Sequence, residues 1–512
     1  METEYASVTA IGTAANAEAE DFPMLQARLG RTFRSLASPD APRTVLIVPS
    51  LSMDAQVLAT IPGAHHYEER MLCYLMLLRM PRTRVIYVSS YSIPESIIDY
   101  YLHLLPGIPA QHARSRLILL SCHDGSSAAL TAKILDRPRL LERLRASIPD
   151  PDAAYMICFN VTDHERNLAL RLNLPIYGCD PNLLHWGSKS GSRKIFREAG
   201  IERPEGFEDL RGVDEIADAL VELRARRPGI RRAVVKLEEG FSGEGNALFS
   251  YQDAPECSRL RTWVEDRLPW LAFEAKDMTW ELFAQKLSVM GGIVEEFIEG
   301  DVKRSPSVQF RVDPLGRLEA VSTHDQVLGG ESGQVFLGCL FPADDAYRLG
   351  IQESGMKAAR ALAAKGVLGR FAIDFLSVKD DDGWRHYAIE INLRRGGTTH
   401  PFLMLEYLTG GQYDPGTGTF LTPSGQTRCY YASDNVQSDA YRGLLPADLI
   451  DIAAMNGLHF DGACQQGVMF HLIGALSEFG KLGVLCIART HEQAEEFHRR
   501  TTEVLDRECR PA

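Results

Sequence analysis

The sequence predicts an α/β domain, then a mixed α+β unit, then a small α/β tail, and three observations carry that prediction. First, four short apolar runs, 44–48, 84–88, 116–120 and 154–159, alternate with longer helical stretches. Continuous apolar runs of this kind are strands buried on both faces of a parallel sheet. Second, beyond Pro228-Gly229 the pattern changes to paired strands: 233–237 with 246–251, 307–312 with 318–321, and 370–378 with 387–393. Third, a Gly, Thr and Pro-rich stretch over 410–426 marks a boundary. Helical stretches at 446–455 and 491–505 follow it and flank apolar runs at 467–471 and 483–488.

The boundaries so drawn give an N-terminal domain over 1–184, a central unit over 185–410 and a tail over 411–512. A chain of 512 residues exceeds what one core organises. At the head of the central unit, 187–201 reads as a helix ended by Gly200, with Pro204 beyond it. A second amphipathic helix over 214–226 stops at Pro228-Gly229. The turn Asp313-Pro314-Leu315-Gly316 closes one hairpin and 379–383 closes another.

Lys and Arg number 55 against 68 Asp and Glu, a net charge of -13. That balance argues against general affinity for nucleic-acid backbones or anionic membrane surfaces. Ten cysteines are scattered without a CxxC pair, so neither a zinc site nor a disulfide framework is expected, and a reducing cytoplasm fits best. The acidic start Met1-Glu2-Thr3-Glu4 does not read as a secretory signal, and the apolar stretch 72–80 is too short to span a bilayer.

The strongest chemical signal is the last hairpin of the central unit. Pairing about Asp382 sets Asp374 opposite Glu390, and the strand period of two puts Asn392 on the same face. Two carboxylates buried side by side among Phe, Ile and Leu cost roughly several kcal/mol per ion unless a cation compensates. Oxygen ligands from few residues suit Mg²⁺ carried on nucleotide phosphates. The competing reading is a solvated polar strand face.

Upstream, Glu239-Gly240-Phe241-Ser242-Gly243-Glu244-Gly245-Asn246 joins two strands, and its glycines free backbone N–H groups to turn toward a phosphate. It is not a Walker A loop, and an ordinary loop is the alternative. Lys236 interrupts the apolar strand just before it, either as a phosphate ligand or as a snorkelling edge-strand lysine. Around Glu295, Phe297 and Ile298 an apolar strand breaks into an acidic loop, where backbone groups and side chains suit an adenine edge and face. Arg394 and Arg395 directly follow the metal strand and are candidates for a substrate acid or the transferred phosphoryl group; Arg311 is a weaker one. Cys122-His123-Asp124 reads as a strand-to-loop transition, and His65-His66 and His185 as structural histidines without metal spacing; His400 is left open.

In this order the pieces resemble the ATP-grasp superfamily, over about 187–401, with a pre-ATP-grasp-like domain in front. The resemblance implies that Lys189 and Lys236 contact ATP phosphates and that the loop with Gly240, Ser242, Gly243 and Gly245 closes over them. It implies further that Glu295, Phe297 and Ile298 hold adenine and that Asp374, Glu390 and Asn392 bind Mg²⁺. One departure is Val302, where many members carry an acid for the ribose. The segments 235–246 and 390–401, with the tail, look like the pheganomycin-type peptide ligases. The implied activity is Mg-ATP-dependent joining of a carboxylate, of an amino acid or peptide, to an amine through an acyl phosphate. An ATP-grasp phosphotransferase and a non-catalytic ATP-binding regulatory protein are the alternatives. Expected partners are the small-molecule or peptide substrates, with no nucleic acid or membrane and with a homo-oligomer left open.

Overall fold

The four apolar runs form the parallel sheet that was expected: β1 (Arg43–Val48), β2 (Thr83–Ser89), β3 (Leu117–Ser121) and β4 (Ala154–Cys158), in the order β3-β2-β1-β4. Alternation splits each strand between two cores. Leu46, Val48, Ile86, Val88 and Met156 face one, while Val45, Ile47, Val85, Tyr87 and Ile157 face the other. The computed structural model describes residues 21–509, apart from 36, 37, 39, 54–57, 60, 240–244, 256–258, 276 and 330–334.

Two antiparallel sheets follow. The smaller joins β5 (Gly206–Leu210), β6 (Arg232–Leu237), β7 (Asn246–Ser250), β8 (Ala272–Phe273) and β9 (Gly292–Glu296) in the order β5-β9-β6-β7-β8. The larger contains β10 (Val302–Arg304), β11 (Pro306–Val312), β12 (Leu318–Gly329), β13 (Val335–Phe341), β14 (Gly369–Asp380) and β15 (Gly383–Asn392). It runs β10-β14-β11-β12-β13 with β15 on β14, then continues through strands Cys429–Gln437, Lys481–Ala488 and Gly467–His471.

That continuation joins the expected C-terminal segment to the central sheet. The strands and helices of the tail lie close to where the sequence places them, including helices Pro446–Met455 and His491–Glu508. They nevertheless extend the central sheet, through Leu340↔Tyr431 and its neighbours, instead of enclosing a core of their own. Phe341 and Phe402 from the central unit, Tyr430, Val468 and Leu485 from the tail, and Tyr87 and Tyr101 from the N-terminal part share one hydrophobic cluster. The strand Cys429–Gln437 was not anticipated, because Ser433, Asp434 and Asn435 interrupt its apolar pattern.

A 3₁₀-helical segment, Ala64–Arg79, closes the carboxyl end of the parallel sheet. Its buried Glu68 accepts the Ser90 N–H at 2.7 Å and the Ser90 hydroxyl at 2.6 Å. Burial outweighs those bonds and pushes the carboxyl up to about 7. A carboxyl raised in the folded state costs stability once ionised, so stability should fall as pH rises from the ordinary value of 4.5 towards about 7. Glu68→Gln keeps an acceptor for the Ser90 N–H and removes the titration. At about pH 8 the variant should be more stable than the parent by ~1–3 kcal/mol, with the gap closing towards pH 5. Urea unfolding across that range measures it, and parallel pH profiles for the two proteins would contradict the assignment.

Candidate active site

The hairpin β14–β15 opposes Asp374 to Glu390, but only because of a β-bulge. From the turn outward the pairing runs Asp380↔Gly383 to Phe375↔Ala388, a register that would set Asp374 against Ile389. One extra residue at Ile389 shifts the strand and brings Glu390, then Asn392, onto the Asp374 face. Asn392 Nδ2 donates to Asp374 Oδ2 at 2.9 Å, and Gln326 Nε2, from β12, donates to Asp374 Oδ1 at 3.2 Å. Burial, with the Glu390 charge also contributing, pushes the Asp374 carboxyl up to about 6 against the Ser307 hydroxyl and Arg394. Paired acids, one raised by burial and by its neighbour, together with an amide make an oxygen set that fits Mg²⁺.

Helix Lys189–Glu198 sets Lys189 against this hairpin. Its Ser192 Oγ accepts the Ile391 N–H at 3.0 Å, and Gly187 lies so close to the Ile391 carbonyl that a side chain there would crowd it. The Ser188 side chain caps the helix by accepting the Gly191 N–H at 3.0 Å. So anchored, Lys189 Nζ stands 3.6 Å from Glu390 Oε1. One turn on, Arg193 is fully buried and reaches Glu295 at 3.2 Å and Glu208 at 3.3 Å. Lys236 closes on the other oxygen of Glu295. Both lysines therefore rest on acids, one on each sheet.

The adenine expectation is modified. The Glu295 carboxylate is occupied by Arg193 and Lys236, so it positions the lysine rather than meeting the base. The Phe297 N–H is already given to the Arg232 carbonyl at 3.1 Å, and its ring lies under the Arg232 guanidinium at 3.9 Å and the Lys303 ammonium at 4.6 Å. Ile298 packs with Val378 and Tyr387, joining this strand to the metal hairpin. Gly300, at φ 153°, sits against Val378, where a Cβ would clash. Gly240, Ser242 and Gly243 lie outside the described residues. The loop's stem is seen in the Leu237 N–H donating to the Gly245 carbonyl at 3.0 Å.

The two arginines after the metal strand part company. Arg394 stays near the acids, which oppose the lowering that burial imposes on its guanidinium. Arg395 turns the other way and is corrected to a structural role. Its Nε donates to the Tyr74 hydroxyl at 2.9 Å, Nη2 to the Tyr177 carbonyl at 3.3 Å, and Nη1 to the Cys158 carbonyl. It ties the central unit to the N-terminal domain. Arg311 is likewise spent on Glu319.

Several residues here went unread in the sequence. Arg193 was accessible, since it lies four residues after Lys189 on one helical face. Gln326 and Ser307 carried no signal, and neither did Glu238, which receives the Ser190 N–H at 3.0 Å. Beyond Arg394, Arg70 pairs with Asp434, whose other oxygen meets His471 Nε2 at 2.5 Å. The His400 ring lies 4.3 Å from that of His471, and neither His400 nitrogen is hydrogen-bonded among the described residues.

Family models agree with this layout. One described as "IQCH-like, ATP-grasp" matches residues 181–269 and 261–416, and one described as "PGM1 C-terminal domain" matches 448–501. The L-propargylglycine--L-glutamate ligase of Streptantibioticus cattleyicolor is 29% identical over 477 residues, covering 91% of this chain and 95% of that protein. IQ motif-containing protein H of Danio rerio is 22% identical over 458 residues, covering 80% of this chain and 42% of that longer protein. Among solved structures, the biotin carboxylase of Campylobacter jejuni with β-γ-ATP aligns at a TM-score of 0.54 and 14% identity, covering 91% of this chain and 95% of that one. The biotin carboxylase domain of Hydrogenobacter thermophilus 2-oxoglutarate carboxylase, with MgADP, ADP and bicarbonate, aligns at 0.54 and 13%, covering 90% and 89%. At those identities the structural likeness speaks to the fold, and the sequence matches lead to one conclusion: over residues 181–416 the chain is similar to the ATP-grasp family.

Proposed function

We propose that the protein is an Mg-ATP-dependent ligase that joins a carboxylate, of an amino acid or peptide, to an amine through an acyl phosphate, releasing ADP and phosphate. The observation that carries this reading is the meeting of Lys189 with Glu390 and of Lys236 with Glu295 beside the Asp374, Glu390 and Asn392 oxygens. Similarity to a ligase named for joining two amino acids, across nearly the whole chain, supports it.

Lys189 and Lys236 supply positive charge for the polyphosphate, and Asp374, Glu390 and Asn392 would hold Mg²⁺. The ion, when bound, neutralises charge on the phosphate oxygens. The substrate carboxylate attacks the γ-phosphorus, the bond to the bridging oxygen breaks and ADP leaves. Arg394, on which the charges of Glu390 and Asp374 act, would meet the incoming acid or the transferred phosphoryl group. The amine then adds to the carbonyl carbon, and phosphate departs with an oxygen that came from the acid.

Lys236→Met removes a charge-assisted contact worth ~1.5–3 kcal/mol, so ATP affinity should fall about tenfold or more. An unchanged ATP titration would take Lys236 out of the site. Protonation of Asp374 below about 6 should also set the acid limb of the reaction. At limiting Mg²⁺, turnover should drop as pH falls through that value and recover when Mg²⁺ is raised. Asp374→Asn should lose turnover at every pH, and near-normal activity in that variant would refute the metal assignment.

The acyl phosphate is tested by trapping. With ATP, Mg²⁺ and the correct acid, hydroxylamine should yield a hydroxamate in step with ADP, and ¹⁸O from the acid should appear in phosphate when the natural amine is used. ADP formation on a true substrate pair without oxygen transfer would overturn the mechanism in favour of phosphotransfer.

A further inference from the structure

The adjacent histidines His65 and His66 offer no metal spacing by themselves, but the fold brings Glu478 to them from the far end of the chain. We propose that His65, His66 and Glu478 form a binding site for a zinc-type divalent transition ion that fastens the 3₁₀ segment Ala64–Arg79 to the turn Leu476–Phe479.

One ligand atom from each of the three residues lies within 4.8 Å of the other two, and His66 Nε2 is 3.9 Å from Glu478 Oε2. His66 Nε2 is buried and makes no hydrogen bond among the described residues. Its other nitrogen, Nδ1, faces the buried carboxylate of Glu69 at 3.3 Å. That pairing places the proton on Nδ1 and turns the Nε2 lone pair towards Glu478, the carboxylate-histidine arrangement that orients metal ligands. Glu69 is itself fixed by the Gly474 N–H, 3.1 Å from each of its oxygens. Gly474 has to be glycine, since a Cβ would strike Glu69 and His66. The His65 and His66 rings lie 4.1 Å apart at 38°. Two imidazoles and a carboxylate select zinc-type ions over Mg²⁺. A tetrahedral ion holds its ligands roughly 3.3–3.5 Å apart. The three ligand atoms, within 4.8 Å of one another, would close to that spacing around the ion, and water completes the set.

The site stands apart from the ATP-grasp chemistry, so its test does not depend on turnover. Full-length metal-free protein, in excess Mg²⁺, is titrated with Co²⁺ and then with Zn²⁺. One Co²⁺ per chain should give a visible d–d absorption band that Zn²⁺ abolishes, and Zn²⁺ should raise the melting temperature. Glu478→Gln alters an exposed side chain and should weaken Zn²⁺ binding at least about tenfold. His66→Gln should abolish it, and Asp374→Asn should leave it intact. Absence of a band would overturn the proposal and leave His66 as a bridge between Glu69 and Glu478. Binding that survives both His66→Gln and Glu478→Gln, or that disappears with Asp374→Asn, would overturn it too.

Discussion

Helix Lys189–Glu198 is the bracket on which the candidate site depends. Its first turn sends Lys189 to Glu390 on the large sheet, and its second sends Arg193 to Glu295 on the small one. Two sheets that share no hydrogen-bonded strand pair are thereby held in register by one rigid element. The Ser192 hydroxyl and the close approach at Gly187 fix the helix to β15, so the spacing between the lysine and the metal face is set by backbone contacts. A rotation of this helix by one residue, about 100°, would carry both cations away from their acids.

The central hairpin was legible because strand alternation is a strict rule and the acids stand in otherwise apolar strands. Even so, the expected register is reached by an unexpected route, since the bulge at Ile389 supplies the residue by which the turn falls short. Alternation was also the rule that should have separated Arg394 from Arg395. Neighbours on an extended chain point apart, and once Arg394 is on the acids' side, Arg395 goes to Tyr74 and the carbonyls of the N-terminal domain. The helix partners were less accessible, because Arg193 and Glu295 are about a hundred residues apart and nothing local marks the pair. The shared core of the tail was hidden for a different reason. Asp434 and Ser433 break the apolar pattern of the strand Cys429–Gln437 while satisfying buried partners, His471 and the Leu337 carbonyl.

Arg395 also explains why the front domain and the central unit behave as one body. A fully engaged guanidinium bound to backbone carbonyls of two N-terminal segments cannot be released without leaving several donors unsatisfied, at ~1–3 kcal/mol each. With Tyr87, Phe341 and Tyr430 in one cluster, the interface is a core and not a hinge. The smaller sheet is tied to the larger one through the Lys189 helix and the cluster of Ile298, Val378 and Tyr387.

The charges in the site form two chains: Glu208, Arg193, Glu295 and Lys236 alternate in sign on one side, and on the other Lys189 and Arg394 flank the paired acids Glu390 and Asp374. Burying any one of these without a partner would be costly, which accounts for each lysine resting on an acid in the ligand-free chain. On the proposed function, binding of ATP with Mg²⁺ would be an exchange at Glu390. The phosphates would take Lys189 and Lys236, and the cation would take Glu390, the acid that Lys189 leaves and that faces Asp374. Phosphate without the cation would strand Glu390 beside Asp374, so cooperation between nucleotide and metal would follow from the partner swap at Glu390.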